Sequence, residues 1–128
     1  MANNKKIIMA VDDMPPILKI FRWALRDQFD VRVVSSGVQA LELLERVKVD
    51  LILLDIEMPG MSGFDIIKHC KADPALKDIP VIIVSGNTNE KDIIEATNAQ
   101  IAGYIVKPFT ANDLREKVQT ALHMNSKI

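Results

Sequence analysis

The sequence predicts an α/β domain built on a five-stranded parallel sheet with helices on both faces. Three observations predict it. Short apolar runs alternate with amphipathic stretches five times along the chain, which is the pattern of repeated strand–helix units. Three of the runs are continuously apolar, as expected of strands covered on both sides. The 128 residues, 48% hydrophobic and 26% charged, match one ordinary soluble domain.

The first strand is read at Ile7–Val11, which ends in Asp12-Asp13. Pro15-Pro16 opens the first helix, because a first-turn N–H has no partner to lose. Ile17, Phe21, Ala24 and Leu25 then form its inward stripe. Trp23 falls outside that stripe; it is expected to be partly buried against a neighbouring side chain, with a partner contact as the alternative. The second strand, Val31–Ser35, carries Arg32 and suits a sheet edge. The second helix runs from about Gly37 to Lys48, with Val38, Leu41 and Leu44 on one stripe. Leu51–Leu54 is the third strand and ends in Asp55. The third helix starts near Ser62 and stops before Pro74, with Ile66, Ile67 and Cys70 sharing a face. Val81–Val84, ending in Ser85, is the fourth strand. Its helix spans about Asn89–Asn98, with Ile93, Ile94 and Thr97 inward. Tyr104–Val106 is the fifth strand and ends in Lys107-Pro108. Thr110 then caps the last helix, with Asp113 three positions on and Leu114, Val118, Ala121 and Leu122 facing the core. Right-handed crossovers place the first and last helices on one face and the other three on the opposite face.

Composition excludes several classes. With 16 basic and 17 acidic residues the chain lacks the basic excess of a nucleic-acid binder. The single cysteine, Cys70, excludes an internal disulfide framework and a multi-thiolate zinc site, and it fits the cytoplasm. The polar N-terminus and the short apolar runs offer neither a secretory signal nor a membrane span.

The chemistry lies in what ends each strand. In open α/β sheets ligands bind beyond the carboxyl ends of the strands. Asp12, Asp13, Asp55, Ser85 and Lys107 therefore converge on one rim. Singly, each has an ordinary explanation as a turn residue, cap or solvated side chain. Jointly, three crowded carboxylates repel one another and call for a cation. Oxygen donors without His or Cys suit Mg²⁺, and a lysine and a hydroxyl beside it suit phosphoryl oxygens. An aspartate at such a site can become a phosphorylated nucleophile.

At these residues the sequence resembles the receiver domain of response regulators, over one domain spanning 1–128 with its core at about 6–124. The motifs are Val11-Asp12-Asp13, the stretch from Leu53 to Gly63, Val84-Ser85-Gly86 and the stretch from Tyr104 to Phe109. The resemblance implies a flavodoxin-like strand order 2-1-3-4-5. It implies phosphorylation on Asp55 from a phosphohistidine on a sensor kinase or phosphotransfer protein. Mg²⁺ would be held by Asp12, Asp13, Asp55 and the backbone carbonyl of Glu57. Lys107 would contact the phosphoryl group, aimed by a cis bond to Pro108. Ser85 and Tyr104 would be the switch pair that remodels the surface of the fourth helix, fifth strand and fifth helix for a target protein.

Glu57 and Asn87 are expected to set the lifetime of the phosphoryl group. Receivers often carry Gly-Ala where this chain has Gln100-Ile101, which puts the loop before the fifth strand in question. The expected role is a stand-alone, monomeric or weakly dimeric signalling protein that is not a free-standing enzyme. With 128 residues used by the receiver, no output domain is expected. The alternatives are an aspartate-nucleophile phosphohydrolase, for which Glu57 sits at the right offset, and a degenerate receiver that only binds partners.

Overall fold

The computed structural model describes residues 5–86 and 89–122. The strands are β1 (Lys6–Val11), β2 (Phe29–Val34), β3 (Leu51–Leu54), β4 (Val81–Ser85) and β5 (Gly103–Val106). The helices are α1 (Pro15–Leu25), α2 (Gly37–Arg46), α3 (Gly63–Ala72), α4 (Glu90–Asn98) and α5 (Ala111–Ala121). All four strand pairings are parallel, in the order β2-β1-β3-β4-β5. The α/β architecture, the strand order and the placement of β2 at an edge follow the sequence reading.

Strand residues alternate between two cores, as the two-residue period of a strand requires. Met9, Val11, Ile52, Leu54 and Ile83 face α2, α3 and α4. Ile8, Ala10, Leu51, Leu53, Ile82 and Val84 face α1 and α5. Because both faces are covered, β1, β3 and β4 have no polar face, and that is why they read as unbroken apolar runs.

Local chemistry sets the helix ends. Ser62 and Thr110 each close a capping box, with Asp65 and Asp113 returning the bond to the cap backbone. Ser36 accepts from the Gln39 N–H at the start of α2. α1 begins on Pro15-Pro16 without a side-chain cap. Its far end has no glycine either; instead Arg115 donates to the Ala24 carbonyl and Lys5 to that of Arg26.

Three inward assignments are corrected. In α2 the buried positions are Gly37, Ala40 and Leu44, and Val38 is exposed. Gly37 lies so close to Met61 that an added Cβ would sit 2.7 Å from the Met61 side chain. That contact turns α2 by its glycine, so the stripe starts one residue earlier than the large side chains suggest. In α4 Ile93 and Ile94 are exposed and Ala96 is buried; the Thr97 side chain lies outside the described residues. Trp23 is exposed as well. Among the described residues no helix is long and apolar enough to cross a membrane.

Candidate functional site

Backbone ladders at the carboxyl rim fix the site before any side chain is considered. The Asp12 N–H donates to Val34, that of Asp55 to Val11, and that of Lys107 to Ser85. Each functional residue is thus the first one past its strand and is tied to the neighbouring strand. Gly63 brings α3 close beneath: a Cβ there would lie 2.6 Å from the Asp55 carbonyl oxygen. Only glycine permits that approach without displacing Asp55.

The side chains of Asp12, Asp13, Asp55 and Lys107 come together at this rim. Carboxylate oxygens of Asp12, Asp13 and Asp55 all lie within 4.8 Å of one another. Lys107 Nζ donates to Asp12 Oδ2 at 2.8 Å and lies 3.6 Å from Asp55 Oδ2. Among the described residues, the buried polar or charged ones are Asp12, Asp55 and Ser85. Burying polar groups is costly, and two of the three, Asp12 and Asp55, lie against the same lysine. Asp13 is exposed at the rim.

The two buried acids are each held by the loop that follows them. Asp12 Oδ1 accepts from the Met14 N–H at 2.9 Å, and Asp55 Oδ1 from the Glu57 N–H at 3.0 Å. These two-residue returns are Asx turns, which fix the carboxylates without a second side chain. They leave Asp12 Oδ2 and Asp55 Oδ2 directed to Lys107. Glu57 itself is exposed at the mouth.

The electrostatics match the crowding. Burial raises the Asp55 carboxyl above the ordinary carboxylate range; the Glu57 N–H and Lys107 oppose this, and Asp12 and Asp13 add to it. Burial alone would pull Lys107 down, but its bond to Asp12 and the charge of Asp55 outweigh that and leave it raised. One ammonium faces three carboxylates, so the pocket retains a demand for positive charge. Its donors are all oxygen, which fits a hard divalent cation such as Mg²⁺.

The Lys107–Pro108 bond is cis. The next residue, Phe109, stacks on buried Phe21 of α1 with ring centroids 5.9 Å apart. This stack anchors the segment that carries the lysine, and the sequence reading assigned it no role. Its signal was available: an aromatic follows Lys107-Pro108, and Phe21 lies on the inward stripe of α1.

Ser85 and Tyr104 meet on the other face of the sheet. Burial raises the Tyr104 phenol, the Ser85 hydroxyl bonded to it opposes this, and the charges of Asp92, Glu57 and Asp55 raise it further. Tyr104 also lines a shallow groove of about 400 Å³ with Ile93, Ala96, Ile101, Gly103 and Val106. One ring therefore touches both the site hydroxyl and an apolar surface. Asn87 lies outside the described residues.

The family model for the response regulator receiver domain matches residues 8–119. The chain is 38% identical over 118 residues to the chemotaxis protein CheY-3 of Vibrio cholerae, covering 91% of each. It is 38% identical over 114 residues to the chemotaxis protein CheY of Pseudomonas aeruginosa, covering 88% of this chain and 92% of that one. The crystallized Vibrio cholerae chemotaxis protein CheY4 superposes with a TM-score of 0.87 at 27% identity, covering 92% of this chain and 99% of that one.

Proposed function

The chain belongs to the response regulator receiver domain family, a family of phosphoacceptor signalling domains, and from that premise we propose that it is a stand-alone response regulator phosphorylated on Asp55. The observation that carries this reading is the pairing of a buried, cation-demanding Asp55 with Lys107 3.6 Å away. The near full-length match to two CheY proteins supports the stand-alone role. The absence of a basic excess favours protein targets over nucleic acid. The proposed compartment is the cytoplasm, where a lone buried thiol such as Cys70 stays reduced.

In the proposed reaction an Asp55 carboxylate oxygen attacks the phosphorus of a phosphohistidine. A P–O bond forms as the N–P bond breaks, and the imidazole leaves with the electron pair and takes a proton. Glu57 N–H, already bonded to Oδ1, orients the carboxylate, and Oδ2 faces the reacting side. Lys107 supplies positive charge to the transferred oxygens. Asp12, Asp13, Asp55 and the Glu57 backbone carbonyl would hold Mg²⁺, which would supply further charge neutralisation when bound. Water later attacks the acyl phosphate and restores the carboxylate.

The proposed output is a switch. A phosphoryl group offers new acceptor oxygens to the Ser85 hydroxyl. Ser85 holds the Tyr104 ring, and Tyr104 lines the α4–β5 groove. A change of partner at Ser85 would therefore reshape the α4–β5–α5 surface that a target protein binds. Glu57 at the mouth, and Asn87, are proposed to govern water access. On that reading Glu57→Ala and Asn87→Ala each change the dephosphorylation rate by several-fold. An unchanged rate in both removes them from the mechanism.

The deciding measurement is intact mass after incubation with Mg²⁺ and acetyl phosphate. The expected result is a stoichiometric phosphoryl adduct that disappears in Asp55→Asn. No adduct on the parent would instead indicate a degenerate receiver. Continuous release of phosphate without an adduct would indicate a phosphohydrolase.

A further inference from the structure

The sheet has two edges, β5 and β2. β5 lies in the proposed target surface, whereas β2 is at the far side of the sheet. Backbone N–H and C=O groups of successive strand residues point alternately to the two sides of a strand. The Val34 carbonyl accepts from the Asp12 N–H, so Val34, Arg32 and Asp30 turn their backbone groups towards β1. Phe29, Val31 and Val33 therefore turn theirs to the open edge, where no described residue pairs with them. Such a row is a template for another strand.

Charge identifies the occupant. Proteins commonly guard an edge with charges, lysine above all. β2 instead carries one charge of each sign, Asp30 and Arg32, placed symmetrically about Val31. Within one chain they pair, Arg32 Nε donating to Asp30 Oδ1 at 2.9 Å and Nη2 to Oδ2 at 3.0 Å. Both side chains stay partly exposed. Beside Arg32 a groove of about 460 Å³ opens between β2 and α2, lined in part by Val34, Leu43 and Val47. A second copy, turned by a two-fold axis through Val31, brings an antiparallel β2 against this edge. Val31 then faces Val31 and Phe29 faces Val33, as pairs that exchange both backbone bonds. These are the residues whose polar groups point outward. Asp30 of each copy stands opposite Arg32 of the other in the non-hydrogen-bonded pairs, where Cα atoms are roughly 4.5 Å apart and side chains approach most closely. The four charges alternate in sign. Centring the axis on Asp30 or on Arg32 would set like charges opposite, which is destabilising. Further out, Gln28 meets Val34 and Asp27 meets Ser35, so no like charges oppose. A two-fold contact requires this kind of self-complementarity, and a net charge of −1 per chain adds little repulsion.

We propose that the β2 edge is a docking surface for a second copy of this chain. The two β2 strands pair antiparallel about Val31, and the two five-stranded sheets become one continuous sheet. The contact leaves both Asp55 rims and both α4–β5–α5 surfaces open, so it is compatible with phosphorylation and target binding.

Sedimentation equilibrium of the full chain tests this. From about 1 μM to 1 mM the average mass is expected to rise from one chain towards two. Asp30→Arg sets arginine against arginine, and Arg32→Asp sets aspartate against aspartate. Each variant alone should self-associate at least about tenfold more weakly than the parent. An equimolar mixture of the two should recover the association of the parent, because the two arginines of one strand then face the two aspartates of the other. The intrastrand pair stays broken in both chains, so that recovery cannot come from repair of the single chain. A second measurement needs no variant. Amide exchange at Val31 and Val33 should slow with rising protein concentration, while exchange at Arg32, already bonded to β1, should not change. The proposal is overturned if the parent keeps the mass of one chain throughout. It is overturned equally if the single variants associate like the parent, which would place the contact on another face, if the mixture fails to recover, or if association leaves the Val31 and Val33 amides unprotected.

Discussion

Asp55 is held protonated more readily than a free aspartate because burial and its neighbours Asp12 and Asp13 disfavour its charge. Its pKa is therefore raised above the unfolded value of 3.8. A raised folded-state pKa contributes stability that is present in full below the unfolded value and is lost as pH rises through the folded one. At neutral pH without a divalent cation, Asp55 thus weakens the fold that it serves. Asp55→Asn, which keeps the shape and removes the charge, should melt several degrees above the parent at pH 7 in EDTA. The gap should close as pH is lowered to the ordinary carboxylate range, as thermal melts across pH will test. The residues of this site were readable in the sequence because each follows an apolar run at a strand end. Their burial was not readable. Asp12 and Asp13 are adjacent and chemically identical, yet Asp12 is buried and Asp13 is exposed, because successive residues leaving a strand point to opposite sides.

At the level of single elements, the loop entering β5 shows how a fold tolerates an unfavourable residue. Gln100 occupies the left-handed region with φ of 59°, which costs a residue with a side chain roughly 1–2 kcal/mol. Gln100→Gly should relieve that cost. After the greater freedom of glycine in the unfolded chain is deducted, a net gain of about 0.5 kcal/mol is expected, measurable as a higher urea midpoint at unchanged slope. The elements themselves were legible because both the strand runs and the capping pairs Ser62/Asp65 and Thr110/Asp113 are local signals. The inward faces of α2 and α4 were less so. Periodicity favours large side chains such as Val38, Ile93 and Ile94, whereas close approach to the sheet and the β3–α3 loop selected Gly37, Ala40 and Ala96. Small residues give no apolar signal at the very positions where elements pack most tightly. Trp23 stands outside the inward stripe, and the partial burial expected of it does not occur.

For the whole molecule, the acidic rim is a region of unrelieved charge inside a chain that is nearly neutral overall. A cation that binds the folded rim and not the unfolded chain stabilises the fold by mass action. At ten times its dissociation constant, Mg²⁺ should add about 1.4 kcal/mol. The gain should fall sharply in Asp13→Asn, and urea unfolding with and without Mg²⁺ will measure both. The strand order adds a further consequence. Lys107 and Asp12 touch across 95 residues of chain, with every element from α1 to β5 lying between them. A cut in the stretch 73–80 would leave three carboxylates on one fragment, and the hydroxyl and the ammonium on the other. Neither fragment should accept a phosphoryl group alone. Phosphorylation of a mixture would then act as a complementation signal, reporting that two separately made halves have reunited into one sheet.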